Sequence, residues 1–458
     1  MATRSDPITT LSAALLALAL IGCNGGSEES ASAGESESAG DDALTWWRDV
    51  EPVVRTRCAT CHRSGDIAPF ALETHEQFVA VASALGPAIE GERMPPWPPD
   101  PACHTYAHSL ALEADEEATL LTYLAGEMPE GDPADAPPPG DPPDELDPDV
   151  TLSMPEPYTP SPSEGVDDYR CFVLPWPAEI ADERFVTALQ VFPGERAIVH
   201  HVILFAVEPG QEAAYFDLDA AEPGPGYTCF GGPGGPPGAR WLGGWVPGAP
   251  PVLAPEGLGQ RVDAGSHLIM QVHYNTAGGA GLADQSSIGF EVATQVDHEA
   301  TVIPMVDIAW LGGGAMVIPA GDPAVTHEAT WERDNPIFTQ ALSRIGVAPT
   351  DEVAIWNAGL HMHTFGTRGR IAIRGPGDAE ECLLDIPEWD FNWQSSYSFE
   401  APSIVGADEA LHLQCWWDNS AENQPIVDGQ IGEPRDVEWG EGSFDEMCLG
   451  VLYVSPAQ

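Results

Sequence analysis

Lysine is missing from this chain: its 17 basic residues are all arginine, set against 72 carboxylates, for a formal charge of −55. Phosphate would be repelled at every approach to such a surface, which argues against nucleic acid and anionic membrane as partners. The missing lysine carries no functional inference. Long apolar runs are also lacking. The stretch 8–22 after Arg4 is shorter than the roughly 20 residues that cross a bilayer and has the form of a signal-peptide hydrophobic region, so the chain is expected to be exported. No convincing internal repeat is present. Residues 129–162, dominated by Pro, Asp, Glu and Gly, lack the material for a core and read as a stiff acidic linker.

What the chain does have is apolar substance. It is 43% hydrophobic over 458 residues, with 14 Trp and 45 Pro, which points to about two to four cores and to loop-rich β structure. The leader ends as Leu20-Ile21-Gly22-Cys23, which resembles a bacterial lipobox. That likeness implies removal of residues 1–22, lipidation of Cys23 and attachment to the bacterial cell envelope, with membrane contact through that anchor alone. Residues 23–42, rich in Ser, Gly and Glu, are the expected flexible tether.

Over 43–128 the pattern is helical, with Trp46, Trp47, Val50, Val53 and Val54 on one stripe and Phe78, Val81, Leu85 and Ile89 on another. Within it stands Cys58-Ala-Thr-Cys61-His62. Two thiols at this spacing reach both vinyl groups of a haem, and the following His is placed as proximal iron ligand. No second Cys pair lies near enough to complete a zinc site. One covalent haem c is therefore expected on Cys58, Cys61 and His62. Met94, in the rigid Arg93-Met94-Pro95-Pro96-Trp97 turn, is the expected sixth ligand, with His75, His104 and His108 as alternatives. With Gly65-Asp66-Ile67-Ala68-Pro69-Phe70 the segment resembles the small cytochrome c fold fused to secreted bacterial oxidases, which implies a small all-α domain.

From 163 onwards the texture is antiparallel β: short alternating runs such as 184–192, 267–274 and 369–374 between Gly and Pro clusters. The stretch is long for one sandwich and is divided near 300, into 163–300 and 301–458. His200 and His201 sit in an apolar run, Val199 to Phe205, where an unpaired imidazole is costly. Neighbours on a regular strand face opposite ways, so joint binding of one metal by this pair requires an irregular strand or different ring nitrogens. In Ser266 to Tyr274, His273 is the better third ligand. His361-Met362-His363 turns both rings to one side of a strand. Met447, in Asp445-Glu446-Met447-Cys448, adds a thioether, and two His with one Met suits copper. His267, His298, His327 and His412 are expected to be ordinary residues.

The order His-His, Gln-x-His-Tyr, His-x-His, Met-Cys is similar to the copper type II monooxygenases, the family of dopamine β-monooxygenase and peptidylglycine α-hydroxylating monooxygenase, over about 165–458. The resemblance implies two jelly-roll-like sandwiches, each with one copper. His200, His201 and His273 would hold an electron-transfer copper, and His361, His363 and Met447 the copper where O2 is used to hydroxylate a C–H bond of a small-molecule substrate. Electrons come from ascorbate in most of that family; here an ascorbate-like reductant or a redox protein would supply them, and a haem on the same chain would raise the effective concentration of donor. The resemblance further implies the disulfides Cys171–Cys229 and Cys415–Cys448. Cys103 and Cys382, in different expected domains, are not expected to bond. The Arg, Asn and Tyr that anchor a peptide carboxylate in that family are replaced by Gly359, Leu449 and Val451, which argues against a glycine-extended peptide. Arg368, Arg370 and Arg374 are expected to be solvent-facing strand residues. Two other function classes remain: a non-enzymatic haem and copper electron carrier, and a scaffolding lipoprotein with structural metals.

Overall fold

A computed structural model describes residues 43–457, apart from 66–67, 139–145, 163–164, 277–278, 392, 428–429 and 441. The leader, the tether and Cys23 lie outside the described residues. From Leu44 onwards the chain is one compact unit.

Its first part winds helically from Trp46 to Cys58, followed by helices His75–Glu90 and Ala114–Ala125. The second of these is started by Thr74, whose side chain accepts from Gln77 N while the Gln77 side chain answers to the Thr74 backbone. The last begins with Asp115, Glu116 and Glu117 in its first turn, where negative charge suits the helix dipole. Trp46, Val50, Val54, Phe78, Leu85, Ile89, Leu120 and Tyr123 meet in a small core.

A free-standing all-α cytochrome c domain, with two jelly-roll sandwiches behind it, does not describe this chain. The molecule is mostly β, with several small antiparallel sheets in a propeller-like ring and no sizeable all-α unit. Part of the reason is covalent and local. After Glu90 a run of prolines between Pro95 and Pro101 cannot continue a helix, and the segment around Trp97 to Ala107 lies on the sheets instead. Asp100 N donates to Asp385 O at 2.8 Å and Ala107 N to Ser398 O at 2.8 Å. Trp97 meets Tyr397 edge-on with ring centroids 5.2 Å apart. Cys103 is bonded to Cys382 across 279 residues of sequence; the expectation that these two would stay apart assumed a domain boundary that this segment crosses.

Two sheets share one core. One runs Tyr227–Thr228, Asp167–Pro175, His267–Asn275, Val199–Val207, Arg240–Trp245; the other runs Val150–Ser153, Ser287–Ala293, Arg184–Phe192, Leu258–Val262, His298–Glu299, with Val252–Leu253 also on Arg184–Phe192. Phe172, Leu189, Val202, Met270, Val272 and Phe290 fill the space between. Two further sheets share a second core. These run Thr301–Met305, Leu449–Pro456, Val353–His361, Ser396–Val405, and Val325–Trp331, Ala410–Trp417, Gly366–Arg374, Glu380–Ile386. Ile303, Ile355, Leu360, Ile371, Leu384 and Leu413 belong to it, and so does Tyr106 from the N-terminal segment. Cys171–Cys229 and Cys415–Cys448 are the other two disulfides. Three such bonds place the folded chain in an oxidising environment. No helix among the described residues is long and apolar enough to cross a membrane.

Because Cys103–Cys382 closes a loop of 279 residues, its loss is expected to cost about 5 kcal/mol, the top of the range for disulfides. Chemical denaturation of the Cys103→Ser, Cys382→Ser double variant checks this; an unchanged midpoint would mean that the clamp adds nothing to the backbone hydrogen bonds beside it.

Candidate metal centres

The strand pairing brings His200, His201 and His273 together. Val199–Val207 lies next to His267–Asn275, with Val199 opposite Tyr274 and His201 opposite His273, and the register slips between them. His200 is the bulged residue. That irregularity lets two consecutive imidazoles turn to one place, which a regular strand forbids. His201 Nδ1 lies 3.3 Å from His200 Nδ1 and 3.3 Å from His273 Nδ1. One nitrogen from each ring falls within 4.8 Å of the others.

The protonation of these rings follows from their surroundings. Burial, then the neighbouring His273, pulls His200 down to about 4, and burial holds His201 well below the ordinary range. Asp167 Oδ1 accepts from His273 Nε2 at 3.0 Å, so the His273 proton sits on Nε2 and the Nδ1 lone pair faces the other rings. Burial pushes Asp167 upward, but hydrogen bonds from His273 and Ser443 outweigh it and keep the carboxyl ionised. The Tyr169 ring stacks on His273 at 4.1 Å. With its proton on Nε2, His273 Nδ1 is left an acceptor, and His201 Nδ1 either donates to it or, in the other tautomer, joins it and His200 Nδ1 in presenting nitrogen to a cation.

The second centre has the same logic. His361 Nε2 and His363 Nε2 face each other at 3.1 Å. Each ring's other nitrogen is engaged: His361 Nδ1 donates to Gln394 Oε1, and His363 Nδ1 to Asp445 O at 3.2 Å. Burial brings His361 to about 4 and His363 to about 3. His361 pairs with Leu449 on the neighbouring strand, two positions after Met447, which is 4% exposed. Between them Glu446 is fully buried, its pKa raised to about 7 by that burial against the pull of backbone donors at His363, Phe365 and Met447. Its carboxylate ties the His-x-His turn to the segment bearing Met447, with His363 N at 2.9 Å. Cys415–Cys448 braces the same segment.

Elements that carry no recognisable signal join the two centres. Phe391 sits with its ring centroid 6.4 Å from His200 and 6.0 Å from His363. On the same loop Trp389 Nε1 donates to His363 O at 3.2 Å. Ser443 Oγ donates to Asp167 Oδ2 at 3.2 Å, linking the second centre's loop to the carboxylate that orients His273. Sequence reasoning missed Asp167, Phe391, Gln394 and Glu446, since an acidic or aromatic residue in a loop has many commoner roles. A cavity of about 580 Å³ opens beside Met447 and Leu449.

At the haem motif, His62 Nδ1 is hydrogen-bonded to Phe70 O at 2.9 Å, which leaves Nε2 for a ligand. Cys58 and Cys61 form no disulfide, and burial, then Cys61, pushes the Cys58 thiol up to about 12. A thiol so protonated is a poor redox nucleophile. Gly248 approaches so closely that a Cβ there would lie 2.2 Å from Cys61 Sγ. Met94 follows His75–Glu90 in a turn begun by its N–H on Ala88 O. Of the alternatives, His75 Nε2 is bonded to Met128 O, and His104 stacks on Phe399. Arg368 pairs with Asp385, and Arg370 and Arg374 with Glu380.

No family model matches the chain, and no curated protein matches it significantly.

Asp167→Asn is expected to weaken metal binding at the three-histidine centre by about 10- to 100-fold, with the His361–His363 centre unaffected. Competitive metal titration with a chromophoric chelator measures it. Equal affinity in both proteins would show that Asp167 does not orient His273.

Proposed function

We propose that this chain is a copper-dependent monooxygenase that hydroxylates a C–H bond of a small organic molecule with O2, its electrons arriving through a covalent haem. One observation carries the reading: two separate sets of imidazole nitrogens face one another at little more than 3 Å, with His273, His361 and His363 each held at the other nitrogen by an oxygen. His200, His201 and His273 would hold one copper, and His361, His363 and Met447 the other. Such ions, when bound, supply one-electron redox chemistry and activation of O2.

The chain's own residues do the rest. Asp167 and Gln394 fix which nitrogen of His273 and of His361 is presented. Glu446 holds the His-x-His turn against the Met447 segment. Phe391 places its ring near both His200 and His363. The cavity beside Met447 offers room for a substrate next to the thioether. A Met in the donor set favours copper over zinc.

Cys58, Cys61 and His62 would hold the haem, which when bound would supply one-electron transfer; two sets of contacts lead from its neighbourhood toward the strands that carry the histidines. Gly248, against Cys61, lies three residues beyond Trp245, which pairs with Val202 beside His201. Trp97, three residues after Met94, packs on Tyr397, whose strand partner Ala358 is three residues from His361. An exported protein anchored to the cell envelope at Cys23 would carry this assembly.

With copper loaded, oxygen uptake should be matched by a hydroxylated product and should fall to background after chelation. Met447→Ala should lower turnover by at least about 100-fold, the scale on which a misplaced reacting centre acts, without unfolding the chain. Cys58→Ala should abolish turnover driven by a protein electron donor. Copper that cycles between oxidation states with no oxygen consumed would favour an electron carrier instead.

A further inference from the structure

The cavity beside Met447 has an unusual charge for this molecule. Its walls are largely apolar and aromatic, with Phe205, Trp241, Val302 and Trp439 among them, yet two guanidiniums, Arg240 and Arg344, also line it. Arg240 is partly committed: it donates to Arg261 O at 2.6 Å and feels the carboxylates of Glu208, Asp263 and Glu299. Arg344 ends the helix Pro336–Arg344, and its side chain has no hydrogen bond or ion pair among the described residues. Arg344 is exposed at the end of its helix and Arg240 is half-buried, so in a chain with 72 carboxylates this cavity places two guanidiniums beside aromatic walls. Burial and the neighbouring Arg344 both work against the charge on Arg240, so an anion placed near the pair relieves a repulsion as well as gaining two donors.

We infer that this cavity binds a small amphipathic carboxylate, its apolar body against Trp241, Trp439 and Phe205 and its carboxylate at Arg344 and Arg240. The volume of about 580 Å³ falls in the range of small-molecule sites, and aromatic walls with a few placed polar groups suit a body the size of one ring. The role of this ligand as substrate rests on the monooxygenase reading; its binding does not. The competing explanation for Arg344 is electrostatic and needs no ligand, since a cation in the last turn of a helix is favourable by itself.

Calorimetric titration of the full chain with 3-phenylpropionate and with its uncharged amide separates these. The carboxylate is expected to bind at least about ten-fold more tightly than the amide, a difference of about 1.4 kcal/mol, with the preference shrinking as salt rises. Arg344→Gln should erase the preference while leaving thermal stability in place, and Trp439→Ala should weaken both probes. Equal binding of carboxylate and amide, no binding of either, or carboxylate affinity that survives Arg344→Gln overturns the site. Arginine-dependent binding to copper-loaded chain with no oxygen uptake supports the site and counts against the hydroxylase. Oxygen uptake on an uncharged compound, with no carboxylate bound, overturns the site and leaves the hydroxylase standing.

Discussion

Two imidazole nitrogens that face each other across little more than 3 Å, with the other nitrogen of each ring already spent on an oxygen acceptor, have to share a cation or repel. The molecule sets this condition at His361 and His363, and it brings His200, His201 and His273 equally close. Neither arrangement is a passive result of packing. A bulge at His200 turns consecutive side chains together, and Asp167, Gln394 and the Asp445 carbonyl each hold a nitrogen that would otherwise compete. Without a bound cation these histidines would be a cost to folding, because a desolvated acceptor with no donor is among the most expensive things a core can contain.

The rest of the fold serves to hold those two places still and close. Ser443 reaches Asp167, and the Phe391 ring lies near both His200 and His363. The N-terminal segment takes part as well. Trp97, Tyr106 and the Cys103–Cys382 bond fasten the stretch after the Cys-x-x-Cys-His motif to Ser396–Val405, which pairs with the strand carrying His361, and to Glu380–Ile386 of the facing sheet. The motif itself lies against the same unit, Gly248 approaching Cys61 closely.

How much of this was legible in the sequence differs by element. Period-two alternation marked the strands carrying His273 and Arg368, and the apolar stripes at Trp46 and Phe78 marked the helical core, because local periodicity reflects which face is buried. The architecture was not legible. Nothing in the spacing of Cys103 and Cys382 signals a bond across most of the chain, and a Pro-rich segment that lies on a distant sheet looks like any loop. The histidines could be grouped because each stood in a run too apolar to leave a ring unpartnered. Asp167, Gln394 and Glu446 could not, since their role comes from a partner 106, 33 and 83 residues away or from burial that composition does not reveal.

X-ray absorption at the copper edge of the chain loaded with Cu(I) bears most directly on the paired centres. Two coppers per chain are expected, with imidazole nitrogen at both and sulfur at one, the sulfur signal vanishing in Met447→Ala while the nitrogen signal remains. A single copper per chain, or a sulfur contribution that persists without Met447, would contradict the account.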